Sequence, residues 1–271
     1  MQVEKAPPGV DVSRPSIARV YDAMLGGKDN FAVDRSVLER MLESVPDIQI
    51  MARDNRRWVR RVAAWLTSEV GIDQFLDVGS GLPTVENTHD VVHRIDPDAS
   101  VVYVDNDPAV IAHGRVLLAD DEHTFFAAGD LTRPDELLAD PAVTGHLDLT
   151  RPLGVLHCLT LHHVGDEEAH RIVRGYTERM APGSYLAVSH IRLPEPDDAR
   201  RAGFMAAMAG YQAASPDFTP RRLADVGALL AGLELVEPGV VPVVEWWPEG
   251  PPLGEPYEFA EFLVGGVARR P

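Results

Sequence analysis

The chain has 271 residues, 45% hydrophobic and 25% charged, a composition that suits one globular domain with an appendage and excludes two full enzymatic domains. With 25 basic against 42 acidic residues its net charge is −17, a field that repels nucleic-acid phosphates and anionic membrane surfaces. No apolar run approaches the ~20 residues of a membrane helix, the first residues lack a secretory pattern, and the lone Cys158 allows no internal disulfide, so a cytoplasmic setting is expected.

Residues 1–12 are polar and proline-rich and read as a loose tail. Ser13 is placed to cap a helix whose Ile17, Val20, Tyr21, Met24 and Leu25 form one stripe, ended by Gly26-Gly27. A second helix carries Val33, Val37, Leu38, Met41 and Leu42 and stops before Pro46. A third runs from Ile48 to Val70, with Trp58, Val62, Trp65 and Leu66 inward and Gly71 at its end. On it, Arg56, Arg57, Arg60 and Arg61 read as a solvated face diluted by nearby acids. Three short apolar stripes make too small a core for about 58 residues. Residues 13–70 are therefore expected to form a lid over the rest of the chain, with Gly26-Gly27 as a hinge or a point of close approach to a ligand.

From Gln74 short apolar runs alternate with helical patterns. Phe75–Val78 precedes a helix reaching Ile95, and Val101–Val104 precedes one from Pro108 to Leu118. Thr124–Ala127 leads to a short helix near Glu136–Leu138, Leu153–Leu159 to a helix from Asp166 to Met180, and Tyr185–Ser189 follows. This spacing predicts a parallel sheet with helices on both faces, over residues 71–271. A helical insertion is expected near 197–214, then a helix with Thr219 at its cap and Pro220 at its first position. Leu233–Val236 and Phe262–Val267 are the last strands, too closely connected for a crossover, and so expected to pair antiparallel.

Ligands in such folds bind beyond the C-terminal ends of the strands. The first strand runs into Asp77-Val78-Gly79-Ser80-Gly81, a Gly-x-Gly turn before a helix, where Asp77 can accept from an ammonium group. A third glycine of the dinucleotide fingerprint is missing, since Leu82-Pro83 follows. The second strand ends in Asp105, placed for ribose hydroxyls, with Asp107 as cap of the next helix. The third ends in Gly129-Asp130, where an acid can accept from an exocyclic amine. The fourth delivers His157, Cys158, His162 and His163. His162 and His163 are the candidate catalytic bases, and with no paired carboxylate nearby no metal site is expected. Tyr21 sits on the apolar face of the first helix, its hydroxyl a candidate partner for a cofactor carboxylate. Trp246-Trp247-Pro248 and Tyr257 serve either as an aromatic substrate wall or as packing.

Taken together, Asp77-x-Gly79-x-Gly81, Val104-Asp105-Asn106-Asp107-Pro108, Gly129-Asp130, Leu161-His162-His163 and Ala181-Pro182-Gly183-Ser184-Tyr185-Leu186 resemble the class I S-adenosylmethionine-dependent methyltransferases. More narrowly, Ile17–Asp22, Leu25-Gly26-Gly27-Lys28-Asp29-Asn30-Phe31, Asn55-Arg56 and Gly81-Leu82-Pro83-Thr84 resemble a bacterial family of S-adenosyl methyltransferases first catalogued as a domain of unknown function. The resemblance spans Pro15 to Arg270, and Leu-Gly-Gly-Lys-Asp-Asn-Phe is its specific part. It implies a Rossmann-like, seven-stranded, mostly parallel sheet whose last strand is antiparallel. It implies S-adenosylmethionine as cofactor, its methionine end on Asp77, Gly79, Ser80 and Gly81, its ribose on Asp105, and its adenine by Asn106, Asp130 and Leu131. Tyr21 and Gly27 complete the expected cofactor contacts. The function expected is methyl transfer to a small-molecule acceptor. The alternatives are a cofactor-binding protein without transfer and, further off, a nicotinamide-dependent oxidoreductase.

Overall fold

The computed structural model describes residues 9–83, 86–117, 121–248 and 257–271. The first eight residues of the expected tail, Thr84 of the expected loop motif, and Leu118 at the expected end of a helix lie outside that set. Three helices come first: α1 (Ile17–Leu25), α2 (Ala32–Leu42) and α3 (Ile48–Trp65), the last continued by a π turn over Leu66–Val70. The cap of α1 is Ser16, whose hydroxyl accepts from the Arg19 amide. Ser13 instead donates to Asp11, one turn too early. Gly26 and Gly71 both take the left-handed conformation and close their helices as expected.

The sheet follows: β1 (Gln74–Val78), β2 (Ser100–Asp105), β3 (Thr124–Ala128), β4 (Gly154–Cys158), β5 (Tyr185–Ile191), β6 (Glu234–Leu235), β7 (Val241–Pro242) and β8 (Leu263–Arg269). Between them lie α4 (Thr88–His93), α5 (Pro108–Leu117), α6 (Pro134–Leu137), α7 (Pro141–Thr144), α8 (Asp166–Thr177), α9 (Arg201–Tyr211) and α10 (Leu223–Leu229). The strand order is β3-β2-β1-β4-β5-β8-β6, parallel through β5, with β8 antiparallel to β5. β6 and β7 both pair antiparallel with β8, at Leu235–Ala268 and Pro242–Val264. The expected seventh position is thus filled by two short strands, interrupted by a turn in which the Gly239 amide donates to Val236. Among the described residues the sheet has eight strands.

Two further expectations shift. α4 starts only at Thr88, behind a capping box at Asn87, so the Gly-x-Gly turn opens onto a loop and not onto a helix N-terminus. α10 starts at Leu223, because the Thr219 and Arg221 amides are drawn to His162 and Ile191 carbonyls and hold the intervening segment extended. Pro220 is therefore outside the helix. The short α7 was not foreseen.

β1 and β5 are buried along their whole length, which explains why apolar residues dominate both. Two cores result, one on each face. One joins the sheet to α1–α3 and α9 through Trp58, Val62, Leu66, Phe75, Phe204 and Phe262; the other joins it to α6–α8 and α10 through Leu76, Leu156-adjacent Val155, Ile172 and Leu229. Trp246 belongs to the first core, edge-on to both Trp58 and Trp65, and Trp247 lies under Arg61 at 3.4 Å. The aromatic segment therefore packs the sheet's edge and forms no substrate wall.

Trp58 is fully buried, and it presses on β8 where a Cβ on Gly265 would meet its ring at 2.7 Å. Trp58→Ala leaves a large void between α3 and the sheet and is expected to cost about 3–5 kcal/mol, read from denaturant unfolding. A cost below about 1 kcal/mol would mean that α3 is not integral to this core.

Candidate active site

A cavity of about 600 Å³ opens at the C-terminal ends of the parallel strands, within the range of roughly 300–1,000 Å³ for small-molecule clefts. The strand ends form its floor, and α1, α3 and the α9 region form its walls. Of the expected cofactor residues, Tyr21, Asp77, Gly79, Ser80, Gly81, Asp105, Asn106, Asp130 and Leu131 all border it, as do His162 and His163.

The loop after β1 is held from below. The Gly79 and Ser80 amides both donate to the Val104 carbonyl, at 2.8 and 3.0 Å, and the Gly81 amide donates to Asp105 Oδ2 at 2.9 Å. Gly79 and Gly81 have φ near +70°, a region that disfavours any side chain. A Cβ on Gly79 would collide with Thr160, whereas one on Gly81 would project into open space. The Gly79, Ser80 and Gly81 amides are thus spent on Val104 and Asp105, which leaves none of the three for a pyrophosphate and weakens the nicotinamide alternative.

Asp77 is buried and accepts from Thr88 Oγ1 at 2.7 Å, leaving its other oxygen uncommitted by that bond. Burial pushes its pKa up, against the Thr88 hydrogen bond and the nearby Arg56 charge, which favour the carboxylate. Asp105 accepts from the Asp107 amide at 2.9 Å on one oxygen and from Gly81 on the other, and burial raises its pKa too. Asp107 caps α5, its Oδ1 accepting from the Ala109 amide at 2.7 Å. Asp130 accepts from the amide and hydroxyl of Thr132.

Two expected contacts are corrected. Gly27 does not border the cavity: a Cβ there would sit 1.9 Å from the Asp22 carboxylate, and Asp22 in turn accepts from the Asp29 amide and the Asn30 side chain. The Gly-Gly-Lys-Asp-Asn segment is a locked turn, its glycine required by packing. The Tyr21 hydroxyl is also already partnered. It donates to the Ala52 carbonyl and accepts from Asn55 Nδ2, both at 3.0 Å, and burial pushes its pKa up to about 12. Tyr21 offers the cavity its ring.

Arg56 and Asn55 went unrecognised as site residues. Both border the cavity, and among the described residues Arg56 is the sole arginine or lysine that does. Its neighbours on α3 are a solvated face only in part: Arg57 is exposed beside Asp54, whereas Arg60 pairs with Glu86 and Arg61 donates to the Val243 and Trp246 carbonyls. Asn55 Oδ1 accepts from Ser189 Oγ at 2.6 Å, tying α3 to β5. The helical repeat of arginines does not say which one faces inward; the signal that could have found it is the Asn55-Arg56 pair shared with the resembled family.

His162 and His163 lie in a one-turn 3-10 helix after β4, held by Arg221, which donates to the Leu161 and Val164 carbonyls. His163 Nδ1 is 2.8 Å from Ser215 Oγ. Burial lowers both pKa values, that of His163 to about 4, so both rings are neutral at physiological pH. Leu159, between them and Cys158, is among the described residues the non-glycine residue with positive φ, at 57°, held there by Ser189 through its amide.

With its folded pKa below the usual 6.5, neutral His163 supplies stability that is present above that value and lost as pH falls toward about 4. His163→Gln removes this contribution. The melting temperature of the variant should therefore fall less than that of the parent between neutral pH and pH about 5. Equal falls would show that His163 titrates as a solvated imidazole.

The sequence from residue 3 to residue 271 matches the model of a family described as S-adenosyl methyltransferase. The crystal structure of a candidate methyltransferase from Thermobifida fusca YX is 37% identical, with TM-score 0.90 over 97% of this chain and 98% of that one. A DUF574 family protein from Streptomyces avermitilis MA-4680 is 35% identical, with TM-score 0.89 over 96% and 99%. The N-methyltransferase NodS from Bradyrhizobium japonicum WM9, solved with S-adenosyl-L-homocysteine, shares the fold at 13% identity, with TM-score 0.51 over 93% and 99%. No curated protein matches.

Proposed function

The chain belongs to the S-adenosyl methyltransferase family and is an S-adenosylmethionine-dependent methyltransferase, and we propose that its cofactor lies across the ends of β1–β3 while a small-molecule acceptor enters the other half of the cavity. The observation that carries this reading is the row of Asp77, Asp105 and Asp130 at the ends of three adjacent parallel strands, all bordering one cavity with Arg56.

The donor set fits the group. Asp77 and Arg56 match an ammonium and a carboxylate, and the side-chain-free edge at Gly81 leaves room for backbone approach. Asp105 keeps a lone pair on each oxygen for ribose hydroxyls, beyond the two amides it already holds. Asn106 and Leu131 flank the adenine, and Asp130 accepts from its amine. When bound, the cofactor supplies a sulfonium methyl open to in-line displacement.

The chain's part is to position and to exclude water. His162 and His163 face the acceptor, and His163, anchored at Ser215, accepts a hydrogen bond from its nucleophilic group. With a pKa near 4 that imidazole is a weak base, so orientation and desolvation carry more of the rate than proton removal, and the proton the acceptor loses would pass to the His163 ring and from it to solvent. Residues 13–70 act as the lid, since α1 and α3 supply one wall and bury their stripes on the sheet's core. The net charge of −17 keeps nucleic acid from serving as acceptor. Among the described residues no helix is long and apolar enough to cross a membrane, and the site of action is the cytoplasm.

Asp105→Ala removes two charge-assisted hydrogen bonds to the ribose and is expected to weaken S-adenosylhomocysteine binding by about 2–4 kcal/mol, measured by titration calorimetry on folded protein. Unchanged affinity would reduce Asp105 to a turn residue.

A further inference from the structure

The two halves of the cavity differ in charge. Asp77, Asp105, Asp107 and Asp130 line the ends of β1–β3, with Arg56 above them. Around the ends of β4, β5 and β8, and along α9, the described lining has no carboxylate, ammonium or guanidinium group. Four of the chain's seven methionines, Met24, Met41, Met51 and Met208, line the cavity. Thioethers adapt to flat rings and gain from contact with their edges. Beyond them the ring of Phe218 stands edge-on to His162 at 5.1 Å and to Tyr211 at 5.4 Å, an array that another ring extends.

The titratable groups of this half are held neutral. Burial raises the pKa of Cys158 and of Tyr211 and lowers those of His162 and His163. A carboxylate or a protonated amine entering here would lose its water, and the charges whose fields reach Cys158, those of Arg56 and Asp77, are taken by the cofactor's own carboxylate and ammonium in the reading above. A hydroxyl needs only a hydrogen-bond partner, which the histidine pair supplies.

We propose that this half takes an uncharged aromatic acceptor that presents a hydroxyl to His162 and His163, an assignment that rests on the methyltransferase reading above. Its test uses the full chain saturated with S-adenosylhomocysteine and titrated near neutral pH with three probes built on one ring system. 2-Naphthol is neutral, 2-naphthoate is an anion and 2-naphthylmethylamine is a cation, while 1-octanol serves as a ringless alcohol. The expected result is 2-naphthol binding roughly ten-fold or more tighter than either ion, and tighter than octanol. Met208→Lys, or Ala214→Lys should the first variant not fold, is expected to move the preference toward 2-naphthoate. An ion or octanol binding as tightly as 2-naphthol overturns the proposal, and so does naphthol failing to bind while S-adenosylhomocysteine titrates normally. A folded protein that takes no S-adenosylhomocysteine overturns the methyltransferase site itself, and the acceptor assignment with it.

Discussion

The site depends on one buried side chain, Asn55. Its amide donates to the Tyr21 hydroxyl and its carbonyl accepts from Ser189 Oγ, so α1, α3 and β5 meet at a single planar group. Ser189 Oγ also accepts from the Leu159 amide, which holds the strained residue beside Cys158 and ahead of the histidines. Asn55 is 2% exposed, and a buried polar network of this kind stabilises only when every member is satisfied. The helices that cover the cavity and the loop that presents its histidines are thereby set in one frame.

Within that frame the sheet sorts charge by position. The strand order places β3, β2 and β1 side by side, so their terminal acids collect at one end, while β4, β5 and β8 bring apolar and neutral polar groups to the other. A cofactor carrying ammonium, carboxylate, ribose and adenine needs the first environment. An in-line transfer from a sulfonium to an uncharged acceptor gains from the second, where water is excluded. The neutrality of His162 and His163 follows from the same burial that shapes the acceptor half.

Much of this was legible from local pattern. Mostly apolar runs marked β1 and β5 because both faces of a parallel strand are covered, and an acid closing such a run, as at Asp105, stands out against it. What stayed hidden depends on tertiary approach. Arg56 is one of several arginines at helical spacing, and only docking of α3 selects it for the cavity. Gly27 carries the mark of a ligand loop but answers to the Asp22 carboxylate. Trp246 reads as a substrate wall or as packing until Trp58 and Trp65 close around it. Thr219-Pro220 spells a helix start that the pull of the His162 and Ile191 carbonyls overrides.

In the proposed arrangement three strand-end acids hold the cofactor with its methionine end toward β4. A crystal structure of the full chain with S-adenosylhomocysteine tests it most directly. The account predicts the ribose hydroxyls on Asp105, the ammonium on Asp77, and the sulfur facing the half lined by His162 and His163. A ligand in the reverse orientation, or one making no contact with Asp77 and Asp105, would contradict it.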